Sequence, residues 1–233
     1  MKPVSFLLAA FVATSGLTLA HSQPVLAAED SAGKGASILR VVDERAARFS
    51  DQTYTASMEI FKSGDLRSTM VFSMSMKNLE KQLISFTAPG DVAGMKILME
   101  DSDTIYMYSP EFKKVRRVAA HMQNQGFLGS EFTPEDMAIT KMSATFDATL
   151  VGKQGNETQL DLKPKAGKIS SFSKLELFID STVGGVTRIR YFDGANNLVR
   201  TQTRESWTKF EDSQIPTKIL TIVTAHVEYE TIV

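Results

Sequence analysis

Met70-Val71-Phe72-Ser73-Met74-Ser75-Met76-Lys77 sets the large apolar side chains Met70, Phe72, Met74 and Met76 against Val71, Ser73, Ser75 and Lys77. Successive side chains of a strand point to opposite faces, so the run predicts a strand with one face of thioethers and an aromatic ring. Just upstream, Tyr54, Ala56, Met58 and Ile60 alternate with Thr55, Ser57 and Glu59. Ser63-Gly64-Asp65 between the two runs is turn chemistry. Two period-two runs joined by such a turn predict an antiparallel hairpin, and this hairpin fixes the fold class as β.

Working outward, Leu83 to Thr87 reads as a third strand closed by Pro89-Gly90. Met95, Ile97 and Met99 mark a fourth, Ile105 to Tyr108 a fifth and Val115 to Val118 a short sixth. Period two is then lost across 119–142, where Gly126 and Gly129 loosen the chain. Thr133-Pro134-Glu135-Asp136 has a helix start's composition: a capping hydroxyl, proline at the first helical position and acids at the positive end. This segment is expected to be a loop with one or two short helices inserted in the sheet. Alternation resumes at Ala144. Hairpins are predicted about Gly155-Asn156 and about Asp193 to Asn197, and Lys218 to Tyr229 reads as the closing strand. Before the first hairpin, Ile38, Val41, Val42, Arg45, Ala46 and Phe49 recur at helical spacing, predicting one amphipathic helix over about 36–49. The expectation is a mostly β (α+β) chain of about eleven antiparallel strands in a single strongly curved sheet or barrel.

The first residues indicate compartment. Lys2 is followed by an apolar run from Pro3 to Ala20 and by small residues ending at Ala27-Ala28. That order predicts a cleaved signal peptide over 1–28, with one domain over 29–233 exported to the periplasm. The chain has no cysteine, so it offers neither a disulfide framework nor a lipid-attachment thiol. Residues 1–28 hold one base, Lys2, and no acid, leaving 25 basic against 27 acidic residues and a net charge of −2. Such a balance gives no electrostatic footprint for nucleic acid.

Marks of catalysis are few. His121 and His226 lie far apart and lack a metal-ligand spacing, and no phosphate loop or nucleophile elbow occurs. No enzyme activity, metal or cofactor is expected. Methionine is the unusual feature: seven of the eleven fall between Met58 and Met107. Flexible, polarizable thioethers suit a surface that adapts to apolar shapes. The expected ligand cavity is therefore lined by Met58, Ile60, Met70, Phe72, Met74, Met76, Met95, Ile97, Met99 and Met107. Within 119–142, Phe127, Leu128, Phe132 and Met137 are large apolar anchors expected to make a lid over that cavity. Arg117, on the face of Val115, is the expected latch toward Glu131 and Asp136.

Several stretches resemble the LolA-like periplasmic outer-membrane lipoprotein-sorting proteins, in the branch found beside inner-membrane exporters. They are Phe86-Thr87-Ala88-Pro89-Gly90-Asp91-Val92-Ala93-Gly94-Met95, Ile105-Tyr106-Met107-Tyr108-Ser109-Pro110, Lys114 to Val118, Tyr191-Phe192-Asp193-Gly194 and Ile215-Pro216-Thr217-Lys218. The most specific is Phe127-Leu128-Gly129-Ser130-Glu131-Phe132-Thr133-Pro134-Glu135-Asp136-Met137. The resemblance implies an incomplete β-barrel covered by short helices and acyl chains held in its concave face. Two functions follow as expectations. One is a monomeric carrier that takes lipoproteins or lipids from an inner-membrane transporter to an outer-membrane acceptor. The other is an accessory subunit that stays docked on an exporter of the RND type.

Overall fold

The structure, a computed structural model, describes residues 24–78, 80–101, 104–119, 127–130, 133, 141–168, 170–223 and 229–232. Among the described residues, helix α1 (Pro24–Ala46) precedes thirteen strands. These are β1 (Asp51–Lys62), β2 (Asp65–Lys77), β3 (Lys81–Ala88), β4 (Lys96–Asp101), β5 (Thr104–Ser109) and β6 (Lys114–Arg117). After a 3-10 turn at Phe127–Gly129 and the one-turn helix α2 (Met142–Thr145) come β7 (Phe146–Gln154), β8 (Glu157–Pro164), β9 (Lys174–Asp180) and β10 (Gly185–Phe192). The chain then forms β11 (Leu198–Phe210), β12 (Ser213–Val223) and β13 (Tyr229–Ile232). The mostly β, antiparallel architecture with few helices is the one the alternation predicts.

Hydrogen bonding runs in the order β6-β5-β4-β3-β2-β1-β13-β12-β11-β10-β9-β8-β7. Every neighbour but one is a neighbour in sequence. The exception is β13, which inserts between β1 and β12 and joins the two ends of the chain. The closing run from Lys218 is therefore two strands rather than one. Antiparallel pairing of β13 with both β12 and β1 uses hydrogen-bonding groups that a single long strand would leave at an edge.

Helix α1 starts twelve residues earlier than the spacing predicts and stops three earlier. Its glycines do not break it because one of them is where the helix meets the sheet. A Cβ on Gly35 would stand 2.5 Å from the Ala148 carbonyl oxygen and 2.8 Å from the Leu150 nitrogen, so only glycine lets the two backbones approach this closely. Arg45 donates from Nη1 to the Gly184 carbonyl and fixes the other end of the helix on the β9–β10 turn. Past Ala46 the chain leaves the helix, and Phe49 packs edge-on against Phe210 with centroids 5.6 Å apart. The turn between β1 and β2 has positive φ at both Ser63 (52°) and Gly64 (83°), the tight hairpin geometry that Ser-Gly-Asp suggests.

Two apolar cores occupy one face of the strands, called here the inner face. The first joins Leu39 of α1 to Phe146, Leu160, Leu162, Leu175, Leu177, Ile189 and Tyr191 of β7–β10. The second joins Met58, Ile60, Met70, Phe72, Met74, Ile84, Phe86, Ile97, Met99 and Ile105 of β1–β5.

Candidate ligand-binding site

The second core gathers all ten residues expected to line a cavity. Met58, Ile60, Met70, Phe72, Met74, Ile97 and Met99 are 0–5% exposed, and Met76, Met95 and Met107 are partly buried against them. Strand register explains the convergence. Met58 pairs with Met70, Met74 with Ile84, Ile84 with Ile97 and Met99 with Ile105, and directly opposed residues share a face. Phe72 and Phe86 stack at a tilt with centroids 5.8 Å apart. Such exposures belong to a filled interior, and the site in this state is packed rather than open.

Ile84, Phe86, Val92 and Ile105 belong to the same cluster but escaped the sequence reading. The signal was present in Ile84 and Phe86, which alternate with Leu83 and Ser85 in β3. It was masked because β3 is apolar on both faces at Leu83 and Ile84, so its alternation does not say which face is inner. Val92 and Met95 come from the β3–β4 connection. That connection begins at a cis Ala88–Pro89 bond and is held by bonds from the Phe86 amide to the Met95 carbonyl (2.9 Å) and from the Gly94 amide to the Phe86 carbonyl (2.9 Å).

Tyr54, also missed, stands at the end of the methionine row. Its register partner is Met74, and its hydroxyl donates to the Met74 thioether at 2.8 Å. The residue as a whole is 43% exposed, whereas desolvation of the hydroxyl pushes the phenol pKa up to about 12. The ring thus marks the rim of the core, with its polar tip turned inward and neutral at ordinary pH. Parity with Ala56 and Met58 was the signal for it.

The lid and the latch fare differently. Phe132 and Met137 of the lid and Glu131 and Asp136 of the latch lie outside the described residues, as do His121 and His226. Leu128 is 39% exposed, and its φ of 55° is a left-handed backbone conformation. It sits in the 3-10 turn beside Phe127. Ser130, just beyond, is 4% exposed. Arg117 does share a face with Val115, but that face is the outer one. Its partner Tyr106 and the Val115 partner Tyr108 alternate with Ile105 and Met107, and Arg116, opposite Met107, is the residue on the inner face. The strand thus turns Arg117 away from the methionine core, and the two acids expected as its latch partners lie outside the described residues. Parity alone gave two faces without saying which was inner.

A shallow groove of about 510 Å³ lies on that outer face, lined by Leu83, Lys96, Leu98, Tyr106, Tyr108 and Val115. The far end of the inserted segment is anchored. Buried Asp43 of α1 accepts hydrogen bonds from the Met142 amide at 2.9 Å and the Ser143 amide at 2.8 Å, capping α2 from another element. Lys165 Nζ donates to the Ser143 carbonyl at 2.7 Å. Among the described residues no three His, Cys, Asp or Glu side chains stand together as a metal site, and no helix is long and apolar enough to cross a membrane.

The fold, an antiparallel sheet with a helix over one half of its inner face, is similar to that of solved LolA superfamily and related structures. A DUF1329 family protein from Desulfovibrio piger superposes with a TM-score of 0.79 at 22% identity, over 87% of this chain and 90% of the other. A putative outer membrane lipoprotein-sorting protein domain from Vibrio parahaemolyticus gives 0.75 at 20% identity, over 86% and 90%. A LolA superfamily protein from Nitrosomonas europaea gives 0.70 at 16% identity, over 85% and 90%. No curated protein matches the chain. A family model described as that of an uncharacterized protein matches residues 78–233, more than half of the sequence, and the chain belongs to this family.

Proposed function

We propose that the chain is a periplasmic carrier that takes up acyl chains of lipoproteins or lipids in its methionine core and moves them toward the outer membrane. The observation that carries this reading is the convergence of seven methionines on one half of the inner face of a LolA-like fold. Thioether side chains have three rotatable bonds and repack at little cost, so a core built from them can fill itself when empty and part around a flexible chain. The name of the Vibrio relative, a putative lipoprotein-sorting domain, points the same way. In this reading the sheet curves as an incomplete barrel, and 119–142 is a lid that covers the methionine core when the site is empty. Tyr54 stands at the rim as the point of entry.

No catalytic group is needed for such a task. Residues 1–28 are the export signal and 29–233 the working domain, which acts as a monomer between an inner-membrane transporter and an outer-membrane acceptor. The test is native mass spectrometry of the protein drawn from a periplasmic extract. The carrier should retain an acyl-bearing molecule in near-stoichiometric amount, and hydrogen exchange over 119–142 should change when that molecule is removed. Protein that never carries an acyl ligand, with identical exchange before and after delipidation, rejects the reading.

A second reading, a docked accessory subunit of an exporter, is favoured by one observation: Met58, Met70, Met74 and Met99 are already packed at 1–5% exposure. Stable recovery on the transporter without lipid selects it.

A further inference from the structure

Register places a polar strip between the two cores. Ile189, Gln202, Thr221, Thr231 and Ile60 are successive partners across β10, β11, β12, β13 and β1. One row of the sheet thus runs from the leucine core to the methionine core, and Gln202 and buried Thr221 lie on it. Alternation along β11 puts Arg200 and Arg204, two residues either side of Gln202, on the same inner face. Arg200 is 4% exposed, with its guanidinium carbon 3.9 Å from the Tyr191 ring centroid and 5.1 Å from that of Phe172. Arg204 donates from Nη2 to the neutral Gln202 Oε1 at 3.4 Å, and its Nε is buried with no hydrogen-bond partner. Burial draws the Arg204 guanidinium below its ordinary pKa, opposed only by Tyr191. The residue as a whole keeps partial access to solvent.

The outer face of the neighbouring strands shows what is missing. There Arg190 Nη1 meets Glu176 at 2.6 Å, Lys174 Nζ meets Glu176 at 2.9 Å and Arg188 Nη2 meets Glu157 at 3.4 Å. Arg204 has no such carboxylate among the described residues. A guanidinium does not deprotonate in a protein, and a desolvated charge is stable only when something compensates it. Its planar fork is matched to oxyanions.

We infer that Arg204, with Gln202 and Arg200 beside it, is the binding site for an oxyanion group, phosphate being the type case, on a ligand whose acyl chain lies in the methionine core. This rests on the carrier reading for the acyl chain and adds the class of head group. Arg204 lies two residues past Gln202, beside the row that ends at Ile60, so a head group there leaves its tail directed toward the methionines.

Trp207 is the single tryptophan of the chain, and its Nε1 donates to the Arg204 carbonyl at 3.1 Å, so its fluorescence reports on the site. The mature protein is titrated with lauroyl lysophosphatidylglycerol, with neutral monolauroylglycerol and with inorganic phosphate, each below any micelle-forming concentration. The wild type should bind the anionic lipid about tenfold or more tighter than the neutral one. Arg204→Gln should erase that preference, leave monolauroylglycerol binding unchanged and unfold at the same or a higher denaturant concentration than wild type. Arg204→Lys, which keeps the charge and loses the fork, should fall between and serves in its place if Arg204→Gln does not fold. A preference that survives Arg204→Gln overturns the inference. Equal binding of both lipids by the wild type also overturns it and leaves the carrier reading standing. Binding of neither lipid rejects the carrier reading, and with it the head-group site. Phosphate binding that is lost in Arg204→Gln without any lipid binding supports the oxyanion site and assigns it to a free anion.

Discussion

The two halves of the inner face are buried to the same degree by different means. Beneath α1, Leu160, Leu162, Leu175 and Leu177 are each 0% exposed, and the helix lies so close that Gly35 touches the β7 backbone. Beyond the polar strip, Met58, Met70, Met74 and Met99 are 1–5% exposed, packed with Phe72 and Phe86. Leucine has two side-chain torsions with sharply preferred rotamers, and a leucine core holds one arrangement. Methionine fills gaps in many arrangements at similar energy. Equal burial therefore hides unequal commitment: the leucine half is scaffold, and the methionine half is where the packing can change.

Substitutions that shorten one side chain in each half separate these roles most sharply. Leu177→Ala is expected to cost about 2–5 kcal/mol in denaturant unfolding and to leave uptake of an apolar fluorescent probe unchanged. Met74→Ala should fall at the low end of that range, because its methionine neighbours relax into the space, and should change probe uptake. Equal effects of the two on uptake would abolish the distinction between the halves.

A next-largest effect is expected at the helix–sheet contact. Gly35→Ala forces a methyl group against the Ala148 and Leu150 backbone, which cannot yield as a side chain end would. A loss of about 1–3 kcal/mol, read as a lowered denaturation midpoint, is expected. Wild-type stability in this variant would mean that α1 does not clamp the leucine half.

Asp43 ties the clamp to the inserted segment. Asp43→Ala leaves the Met142 and Ser143 amides without their acceptor and should cost about 1–2 kcal/mol. Faster hydrogen exchange at those two amides is the accompanying signature, and unchanged exchange there would show that the anchor is not used in solution.

The smallest effect is a pH dependence confined to the scaffold half. In the β10–β11 turn the Asn197 side chain and backbone amide, with the Ala195 amide, donate to Asp193 and hold its carboxyl below the usual range. The folded pKa lies under the unfolded one, so this contribution is complete above the unfolded pKa, near 4, and fades as pH falls through the folded value. Asp193→Ala should narrow slightly the stability difference between neutral and acid pH. A difference as wide as that of the wild type would show that the turn contributes nothing.

How much of the site was legible follows from which signals are local. Nine of the ten expected lining residues, all but Met95, lie in strands, and they come together because parity within a strand is a property of a few consecutive residues that hydrophobic burial enforces. Which face Arg117 takes was not legible, because parity separates two faces without naming the inner one. Nothing in the sequence singles out Asp43, since its two partners lie ninety-nine and one hundred residues away. Arg204 gave no sign either: read locally, Thr203-Arg204-Glu205 is an ordinary polar run.

By itself the sequence determined the strands, their turns and the apolar composition of one face, because these depend on backbone geometry and on neighbours within a few residues. It also concentrated methionine in the first half of the chain. Strand order was decided only in the tertiary structure. Insertion of the four-residue β13 between β1 and β12 joins the halves into one hydrogen-bonded order and brings the leucine and methionine cores onto the same face. That insertion also sets Gln202 and Thr221 between them, with Arg204 turned inward from the same strand. No local pattern specifies such a pairing, since it joins residues as far apart as Ile60 and Thr231. It is fixed by the free energy of satisfying two strand edges and burying two cores at once.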